Sequence, residues 1–390
     1  MAPEVVFQGK LGLQQRVFPE YRKPFFARLA ERCGGGLQMI AGDPRASESI
    51  TPASDAQAFP FRRTKNIHML GGSLYFCWQR DIMSWLAEWD PEVVVFEANP
   101  RCLSNDQAVK WMRDRGRPVI GWGLGAPPLD GLEARLRLRR RQRYLMGFDA
   151  LIAYSHRGAQ EYEQVGFPPD RIFIAYNAVA PAPKSVPVHP PAVNRKLEVL
   201  FVGRLQERKR VDLLIEASKP FEAEIALTVV GEGPARAGLE ALAGELAPAV
   251  RFMGEIHGED LEPYYRSADL FVLPFPDTVY NRGRWPNKIC DYMSLGRPTV
   301  SNPCGDIKHL FDRHEIGLLA EWNEEDFASK IVRLLEDPNL AHRLGEEARR
   351  ISVYEYSWQV LVERLEGFYW HLMEENKRIP EMVGERYGTT

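Results

Sequence analysis

Short runs of valine, isoleucine and leucine alternate along the chain with longer segments in which apolar residues recur every three or four positions. The short runs are typical of strands buried in a parallel sheet, and the longer spacing is typical of helices that cover such a sheet. The alternation therefore predicts an α/β protein built from βαβ units. In the first half of the chain the predicted strands are 5–8, 37–40, 92–96, 118–121, 151–154 and 172–175, and the predicted helices are 22–33, 79–89, 106–115, 132–147 and 157–165.

A proline-rich segment separates this half from a second one. Five prolines fall within eleven residues, and proline disrupts both helix interiors and central strands. Two Rossmann-like domains with a cleft between them are expected, because parallel sheets bind ligands at the carboxyl ends of their strands. We predict an N-terminal domain over 1–180, a linker over 181–195, a C-terminal domain over 196–352 and a terminal helix within 353–390 that packs back on the N-terminal domain. In the second half the predicted strands are 197–202, 225–230, 250–253, 270–273 and 299–301, followed by a helix-rich tail over 324–375.

Composition narrows the class of protein. The 390 residues are 45% hydrophobic and 26% charged, with a formal net charge of -3, which is typical of a globular protein and not of a general nucleic-acid binder. The five cysteines include no C-x-x-C pair, so neither a disulfide framework nor a zinc knuckle is indicated. A secretory leader and a membrane-spanning segment are not indicated either. We expect a cytoplasmic protein.

One segment carries a strong local excess of positive charge. Six arginines lie within nine residues from Arg135 to Arg143, and we expect Leu132, Leu136 and Leu145 to pack inward from the same helix. The segment is either an exposed, solvated helix or a surface that contacts anionic lipid headgroups on the inner face of a membrane. Nucleic acid is disfavoured, because aromatic stacking positions are missing around the run.

Candidate chemistry begins where the strand 197–202 ends. Gly203 and Arg204 follow this strand, and Lys209 comes a few residues later. Arginine offers a planar bidentate fork and lysine a point charge, a combination suited to a diphosphate. The alternative is a solvated basic loop in which these cations pair with Glu207 or Asp212.

Two further turns resemble ligand-binding turns. Gly231 and Gly233 follow the next strand, where glycine allows close approach of a backbone to a ligand. The third segment lies before a helix that is predicted to begin near Asn287. Asp291 lies on the same face of this helix, one helical turn further along, where a carboxylate can accept hydrogen bonds from both hydroxyls of a ribose. The alternative for Asp291 is an ion pair with Lys288.

Taken together, five ordered motifs resemble glycosyltransferase family 4. They are Gly-Arg-Leu with its later lysine, Val-Val-Gly-Glu-Gly-Pro, Val-Arg-Phe-Met-Gly, Tyr-Tyr-Arg-Ser-Ala-Asp-Leu-Phe-Val-Leu-Pro and Asp-Tyr-Met-Ser-Leu-Gly-Arg-Pro-Thr-Val. The resemblance implies a GT-B fold and transfer from a nucleoside-diphosphate sugar, such as a UDP-sugar, with retention of configuration. It also implies that no metal or other cofactor is required. By position, Arg204 and Lys209 would hold the donor diphosphate and act in catalysis, Gly203, Gly231 and Gly233 would line the nucleotide pocket, Phe252 and Met253 would lie beside the base, and Asp291 would hold the ribose.

The donor-sugar loop departs from the family pattern. The family has two glutamates eight positions apart, whereas this chain has Gly283 at the first position and Asp291 at the second. We expect other residues of the same loop to supply the missing contacts, either to an acidic donor sugar or to the diphosphate. They are Arg282, Arg284, Asn287 and Lys288.

The N-terminal domain matches the family less well and is expected to bind the acceptor. Gly9 and Gly12 are predicted in its first βα turn, and Glu97 and Asn99 after a buried strand. Trp122 belongs to the segment 121–125, where related enzymes often place a histidine and this chain has Leu124 in its place. The sequence therefore predicts a retaining, metal-independent glycosyltransferase that acts on a saccharide or lipid-linked acceptor in polysaccharide or cell-envelope synthesis. The rivals are a nucleotide-sugar epimerase or hydrolase on the same fold and a non-catalytic nucleotide-sugar-binding protein.

Overall fold

The protein consists of two compact units. The computed structural model describes residues 7–48, 50–54, 58–72, 75–129, 134–176, 195–256 and 258–387. The first unit comprises the chain up to Tyr176 together with the segment that begins at Trp358, and the second unit ends at Ser357. Of the predicted linker 181–195, only Arg195 belongs to the described residues.

The first unit contains a seven-stranded sheet in which each pair of neighbouring strands is parallel. Its order is β3-β2-β1-β6-β7-β8-β9, and the reversal between β1 and β6 is the switch point of a doubly wound fold. A separate antiparallel hairpin, β4-β5, interrupts the alternation. The strands are β1 (Leu11–Val17), β2 (Leu37–Gly42), β3 (Phe61–Arg63), β4 (Asn66–Met69), β5 (Phe76–Gln79), β6 (Val93–Glu97), β7 (Val119–Gly123), β8 (Ala150–Ala153) and β9 (Ile172–Ile174).

Helices connect these strands. Most of them carry an apolar stripe toward the sheet, whereas the arginine-rich helix buries only Leu145. Leu136 was expected to pack inward from that helix and is instead 70% exposed, while Leu132 lies outside the described residues. The helices are α1 (Lys23–Glu31), α2 (Ile82–Trp89), α3 (Ser104–Arg113), α4 (Ala134–Leu145) and α5 (His156–Gln164), with 3-10 turns at Glu20–Arg22 and Pro169–Arg171.

The first strand does not lie where the sequence predicts it. Of the predicted segment 5–8, residues 5 and 6 lie outside the described residues, and Phe7 forms only an isolated bridge with Cys33. The strand that enters the sheet is β1, which was missed because two glutamines and an arginine interrupt its apolar pattern. Gln14 is nevertheless fully buried, and its amide donates to Gln79 Oε1 at 2.6 Å.

This shift corrects the expectation for Gly9 and Gly12. Gly12 lies inside β1, where a Cβ would come within 2.9 Å of the Trp85 ring, and Gly9 precedes the strand. Both residues are therefore near the amino end of β1, whereas ligands of parallel sheets bind at the carboxyl ends. The small size of Gly12 serves the packing of α2 on the sheet, whereas a Cβ on Gly9 would meet Phe7 at 2.8 Å and Glu92 at 3.0 Å. Neither glycine is part of a first βα turn.

The second unit contains a six-stranded parallel sheet of order β12-β11-β10-β13-β14-β15. Counted along the chain this is the order 3-2-1-4-5-6, which is the doubly wound order of Rossmann-like folds. Four of the predicted strands coincide with observed ones. Three of them are short and mostly apolar, and the fourth, 299–301, directly follows Pro298. The strands are β10 (Leu197–Val202), β11 (Ile225–Val230), β12 (Arg251–Phe252), β13 (Leu270–Leu273), β14 (Thr299–Ser301) and β15 (Gly317–Leu319).

Helices cover the second sheet and enclose a core that includes Phe201, Leu214, Val229 and Phe327. Asn323 caps one of these helices, since its side chain accepts a hydrogen bond from Asp326 N. The helices are α6 (Val211–Ser218), α7 (Arg236–Leu246), α8 (Glu262–Ser267), α9 (Val279–Arg282), α10 (Asn287–Ser294), α11 (Gly305–Arg313), α12 (Glu324–Glu336) and α13 (Pro338–Tyr354), with 3-10 turns at Glu207–Lys209, Lys219–Phe221 and Gly258–Leu261.

The last helix, α14 (Trp358–Tyr387), belongs to the first unit. Glu366 of α14 is fully buried, and its two oxygens accept hydrogen bonds from Arg32 at 2.7 and 2.8 Å. Tyr369 packs edge-on against Phe7. These contacts tie the end of the chain to α1 and to the residues before β1. Within the described residues, no helix is both long enough and apolar enough to cross a membrane.

Candidate functional site

A cavity of about 460 Å³ lies where β10 and β11 end. Five residues singled out by the sequence line this cavity together: Gly203, Arg204, Gly231, Gly233 and Lys288. They come from three separate stretches of the chain, and the parallel sheet brings them to one edge. The sequence also missed four lining residues, Glu255, Ile256, Gly258 and Leu261. They follow β12, and no motif marked them.

The two glycines after β11 are needed for the close approach of two turns. A Cβ on Gly231 would lie 1.9 Å from Gly203 O, and a Cβ on Gly233 would lie 2.1 Å from Leu205 O. Both glycines also have positive φ angles, +149° and +156°, which side chains rarely adopt. Leu205 N donates to Glu232 O at 2.8 Å and fastens the two turns together. The glycines thus set the shape of the cavity wall.

The cations after β10 are not neutralised by neighbouring carboxylates. Asp212 pairs with Arg210 at 2.8 Å, so the predicted alternative of a pair with Lys209 or Arg204 is not formed. Among the described residues, neither Arg204 nor Lys209 has an ion-pair partner. Burial, together with the charges of Arg208 and Arg284, lowers the pKa of Lys209 to about 8. This arrangement favours an anionic ligand.

Asp291 belongs to a small polar cluster on α10 and α8. Its Oδ2 accepts hydrogen bonds from Lys288 Nζ at 2.9 Å and from the Tyr265 hydroxyl at 3.2 Å. Lys288 Nζ also donates to the Tyr265 hydroxyl at 3.0 Å. Burial and the charge of Asp291 raise the pKa of Tyr265. The predicted pairing of Asp291 with Lys288 is therefore present. The hydrogen bonds from Lys288 and Tyr265 both use Oδ2, so Oδ1 accepts neither of them.

The cations of the donor-sugar loop have different partners. Arg282 makes a bidentate pair with Asp277 at 2.5 and 2.7 Å, which lowers the pKa of Asp277. Arg284 Nη1 donates to the Tyr280 hydroxyl, and its charge acts on Lys209. A Cβ at Gly283 would meet no atom within 4 Å, so nothing steric requires glycine there. Asn287, the first residue of α10, is exposed.

Two residues predicted beside the base lie elsewhere. Phe252 pairs with Val229 in the sheet and packs against the hydrophobic core. Met253 is 40% exposed and lines a separate cavity of about 310 Å³ together with Arg251 and Tyr264. Neither residue lines the cavity at the ends of β10 and β11.

In the first unit, Glu97 and Asn99 follow one another at the carboxyl end of β6. Glu97 Oε2 accepts from Arg16 N at 2.8 Å, and Asn99 Nδ2 donates to Glu97 Oε1 at 3.5 Å. The Tyr144 hydroxyl donates to the backbone oxygen of Glu97 at 3.0 Å. The two side chains are thus adjacent at the carboxyl edge of the first sheet, and their role in acceptor binding stays a prediction.

Trp122 is almost fully buried, at 1% exposure. Its ring stacks on Tyr154 at a centroid distance of 5.7 Å, and the guanidinium of Arg22 lies 4.7 Å from it. Arg22 was missed by sequence reasoning, because no motif marks an arginine in the turn before α1. It is 5% exposed and donates to the Tyr154 hydroxyl at 3.1 Å. Trp122 therefore packs in the interior of the first unit and not at an open surface.

Comparisons with known proteins identify the segment that holds the cavity. Residues 196–337 match the family model "Glycosyl transferases group 1". An α-D-kanosaminyltransferase of Streptomyces kanamyceticus is 28% identical over 180 residues, which cover 44% of this chain and 45% of that protein. The match thus spans less than half of the length of this relative.

Two solved structures cover nearly the whole chain. The lipopolysaccharide outer core galactosyltransferase WaaB has a TM-score of 0.67 at 14% identity, covering 93% of this chain and 99% of that one. Anabaena HepE, solved in complex with UDP, has a TM-score of 0.66 at 16% identity, covering 91% and 98%. These values establish a shared architecture of two Rossmann-like units. The chain therefore has the GT-B fold, and its segment 196–337 is similar to the group 1 glycosyl transferases.

Proposed function

We propose that the protein is a retaining glycosyltransferase that moves a sugar from a nucleoside-diphosphate sugar to a saccharide or glycolipid acceptor. One observation carries this proposal. Arg204 and Lys209, at the end of a Rossmann-like strand, have no ion-pair partner among the described residues, and Arg204 lines a cavity beside the tightly packed glycine turns. Two cations in such a place are suited to a diphosphate.

The proposed chemistry follows from the charge that develops as the donor reacts. The oxygen of the acceptor hydroxyl bonds to the anomeric carbon on the face from which the diphosphate departs. The bond from that carbon to the diphosphate oxygen breaks, and the hydroxyl proton passes to the departing diphosphate. Negative charge then grows on the departing diphosphate, and groups that are preorganised for this charge lower the barrier. In our proposal Arg204 and Lys209 supply these groups, so the reaction requires no metal. Activity that persists in the presence of a chelator would support this point.

Uridine is the proposed base, with support from the UDP complex of Anabaena HepE. In this proposal Asp291 Oδ1 accepts a hydrogen bond from a ribose hydroxyl while Lys288 and Tyr265 hold Oδ2. The donor sugar does not carry over from the similar proteins, because their names specify different sugars, kanosaminyl and galactosyl. A glycolipid of the cell envelope is the proposed acceptor class, in line with the lipopolysaccharide galactosyltransferase among the similar structures.

The decisive experiment measures release of UDP from a panel of UDP-sugars. Arg204→Ala and Lys209→Ala should each lower turnover by roughly 10²–10³, the scale of losing one preorganised electrostatic contact. Lys219→Ala is the matched control, because Lys219 is an exposed lysine of the same unit outside the cavity. Near-normal turnover in both Arg204→Ala and Lys209→Ala would refute the assignment.

The same assay separates the rival functions. A hydrolase would release UDP at the same rate with or without acceptor, and an epimerase would convert the donor without releasing UDP. A non-catalytic binding protein would show saturable UDP affinity but no release with any acceptor. A glycosyltransferase should release UDP only when a suitable acceptor is present, in equal amount to the glycoside formed.

A second candidate role, peripheral contact with an anionic membrane, is favoured by helix α4. Five of its arginines are exposed, and they surround the 70%-exposed Leu136. Arg141 is different, because it donates to Pro127 O at 2.5 Å, and burial together with Arg137 lowers its pKa. A groove of about 590 Å³ between α3 and α4 adds Arg113 to this basic surface, whereas its Lys110 pairs with Asp114 at 2.9 Å.

Vesicle binding tests this role. Replacing Arg135, Arg139, Arg140 and Arg143 by glutamine should weaken binding to phosphatidylserine vesicles by about 4 kcal/mol, at about 1 kcal/mol per basic residue. The matched control replaces four exposed cations of the second unit, Lys308, Arg313, Arg343 and Arg350. High salt should reproduce the first change. If the unmodified protein does not bind the vesicles at low salt, α4 is only a solvated helix.

A further inference from the structure

Tyr280 contacts two arginines that are far apart in the sequence. The guanidinium carbons of Arg208 and Arg284 lie 4.7 and 4.1 Å from the centre of its ring, well inside the distance of a cation–π interaction. The Tyr280 hydroxyl also accepts a hydrogen bond from Arg284. One half-exposed tyrosine thus joins the turn after β10 to the donor-sugar loop.

The helix that carries Tyr280 is short but firmly held. The Thr278 hydroxyl accepts from Asn281 N at 3.2 Å and caps α9. The Asn281 side chain is buried and donates to Pro276 O at 2.9 Å. Arg282 is fixed by its bidentate pair with Asp277. Because these contacts restrain α9 at both ends, the Tyr280 ring has a defined position on which the two arginines can pack.

Lys209 lies beside the two arginines. It follows Arg208 in the same 3-10 turn, and the charges of both Arg208 and Arg284 act on its ammonium group. Asp277, the acidic residue of the donor-sugar loop, is occupied by Arg282, and Asp291 is occupied by Lys288. Of the cations in this loop, Arg284 is the one whose charge acts on Lys209.

We infer that Tyr280 is a positioning residue that holds Arg208 and Arg284 next to Lys209, so that the three cations form one binding site for the diphosphate of the donor. This inference rests on the proposed function. It also chooses between the two roles that the sequence left open for the loop. The ion pairs of Arg282 and Lys288 leave fewer cations for an acidic donor sugar, whereas Arg284 joins the residues proposed to bind the diphosphate.

Binding of UDP to three variants tests this inference. Tyr280→Ala removes the ring and the hydroxyl and should weaken UDP binding roughly tenfold, on the scale of losing two exposed cation–π contacts. Tyr280→Phe keeps the ring and should lose much less. Val279→Ala is the matched control, since Val279 is the neighbouring residue of α9, is 74% exposed and makes none of these contacts. Thermal unfolding of each variant verifies that it is folded.

The pH profile separates positioning from a merely structural role. The charged groups that act on Lys209 are Arg208 from its own turn and Arg284 from the loop. If Tyr280 holds both of them there, Tyr280→Ala lets them move away, and the pH above which UDP affinity declines should rise by roughly half a unit or more. A uniform loss of affinity with an unmoved pH profile would overturn the inference, because it would mean that Tyr280 contacts UDP directly or only supports the fold.

A double-mutant cycle gives the second readout. Tyr280→Ala and Arg284→Ala should be strongly non-additive, because the tyrosine acts through the arginine. Additive losses would contradict the inference. Failure of the proposed function looks different: in that case Arg204→Ala and Lys209→Ala would leave UDP affinity intact. If those two variants lose affinity while Tyr280→Ala keeps it, only the role of Tyr280 is refuted.

Discussion

Binding of UDP should be coupled to proton uptake by Lys209. The pKa of this lysine is lowered to about 8 by burial and by Arg208 and Arg284, so the amine is partly neutral in the free protein at mildly alkaline pH. A bound diphosphate adds negative charge beside it and should return its pKa toward the ordinary value near 10.4. The protein must then take up a proton as the ligand binds.

The size of the effect follows from the pKa. With a free-protein value of about 8, the neutral fraction of Lys209 is about 0.1 at pH 7, about 0.5 at pH 8 and about 0.9 at pH 9. The protons taken up per UDP should follow the same series as long as the complex keeps Lys209 charged. A phosphate monoester has its second pKa near 6, so the terminal phosphate of UDP contributes little in this range.

Isothermal titration in buffers of different ionisation enthalpy measures this uptake directly. The slope of the observed binding enthalpy against the buffer ionisation enthalpy is the number of protons exchanged. Lys209→Arg is the matched variant, because arginine retains the positive charge and does not titrate in this range. It should bind UDP with no uptake at pH 8, whereas Lys219→Ala should behave as the unmodified protein does.

Two results would refute the reasoning. Uptake of about half a proton at pH 8 that persists in Lys209→Arg would show that another group titrates. The absence of uptake at both pH 8 and pH 9 in the unmodified protein, with UDP bound, would show that Lys209 does not sense the diphosphate. The first result would leave the cavity as the UDP site but remove Lys209 from the proposed diphosphate contacts. The second result would also remove the basis for a catalytic role of Lys209.

Three further outcomes are expected. Gly233→Ala should impair folding or UDP binding, because its Cβ would lie 2.1 Å from Leu205 O; Gly238→Ala, where no atom lies within 4 Å, is the thermal-unfolding control. Gly283→Glu should leave the melting temperature unchanged and raise the affinity for UDP-glucose relative to UDP, as measured by thermal shift, if the restored carboxylate binds sugar hydroxyls. Lys209→Met should raise the melting temperature at pH 7 more than at pH 10, because the lowered pKa of Lys209 destabilises the fold while the amine is charged and this cost fades as pH rises above about 8.

The second unit was largely predictable from the sequence. Its strands β10, β11 and β13 are short and mostly apolar, interrupted only by Glu198 and Thr228, and each is followed directly by a glycine or a proline. Such runs have few alternatives to a buried parallel strand, so their limits could be predicted to the residue. The turns after β10 and β11 were predictable for the same reason, since the glycines follow directly on the strands.

The first unit was harder because its central strand is partly polar. Gln14 and Gln15 of β1 are buried only because they find partners in other segments, such as Gln79 of the hairpin. The hairpin and the short strand β3 were not predicted, because they are only three or four residues long and polar residues interrupt their apolar positions. The periodicity of apolar residues cannot predict hydrogen bonds between distant segments, because it depends only on residues that are close in the sequence.

The partners of charged residues were the least predictable part of the candidate site. Spacing left Lys288 free to pair with Asp291 or to face a ligand, and it gave Arg282, Arg284 and Lys288 equal standing as replacements for the missing glutamate. The contacts that distinguish them involve Asp277, Tyr280 and Tyr265. Tyr265 reaches Asp291 from a different helix, 26 residues away in the sequence.

The donor-sugar loop shows why a missing family residue does not by itself indicate a lost function. A Cβ at Gly283 would meet no atom within 4 Å. The fold therefore does not require glycine there, and packing does not explain the absence of a glutamate. A glutamate at this position would add a negative charge to a loop whose Arg284 already acts on Lys209, and would partly neutralise the proposed diphosphate site. The absence of the glutamate and the stacking of Arg284 on Tyr280 therefore act in the same direction, since both keep positive charge beside Lys209.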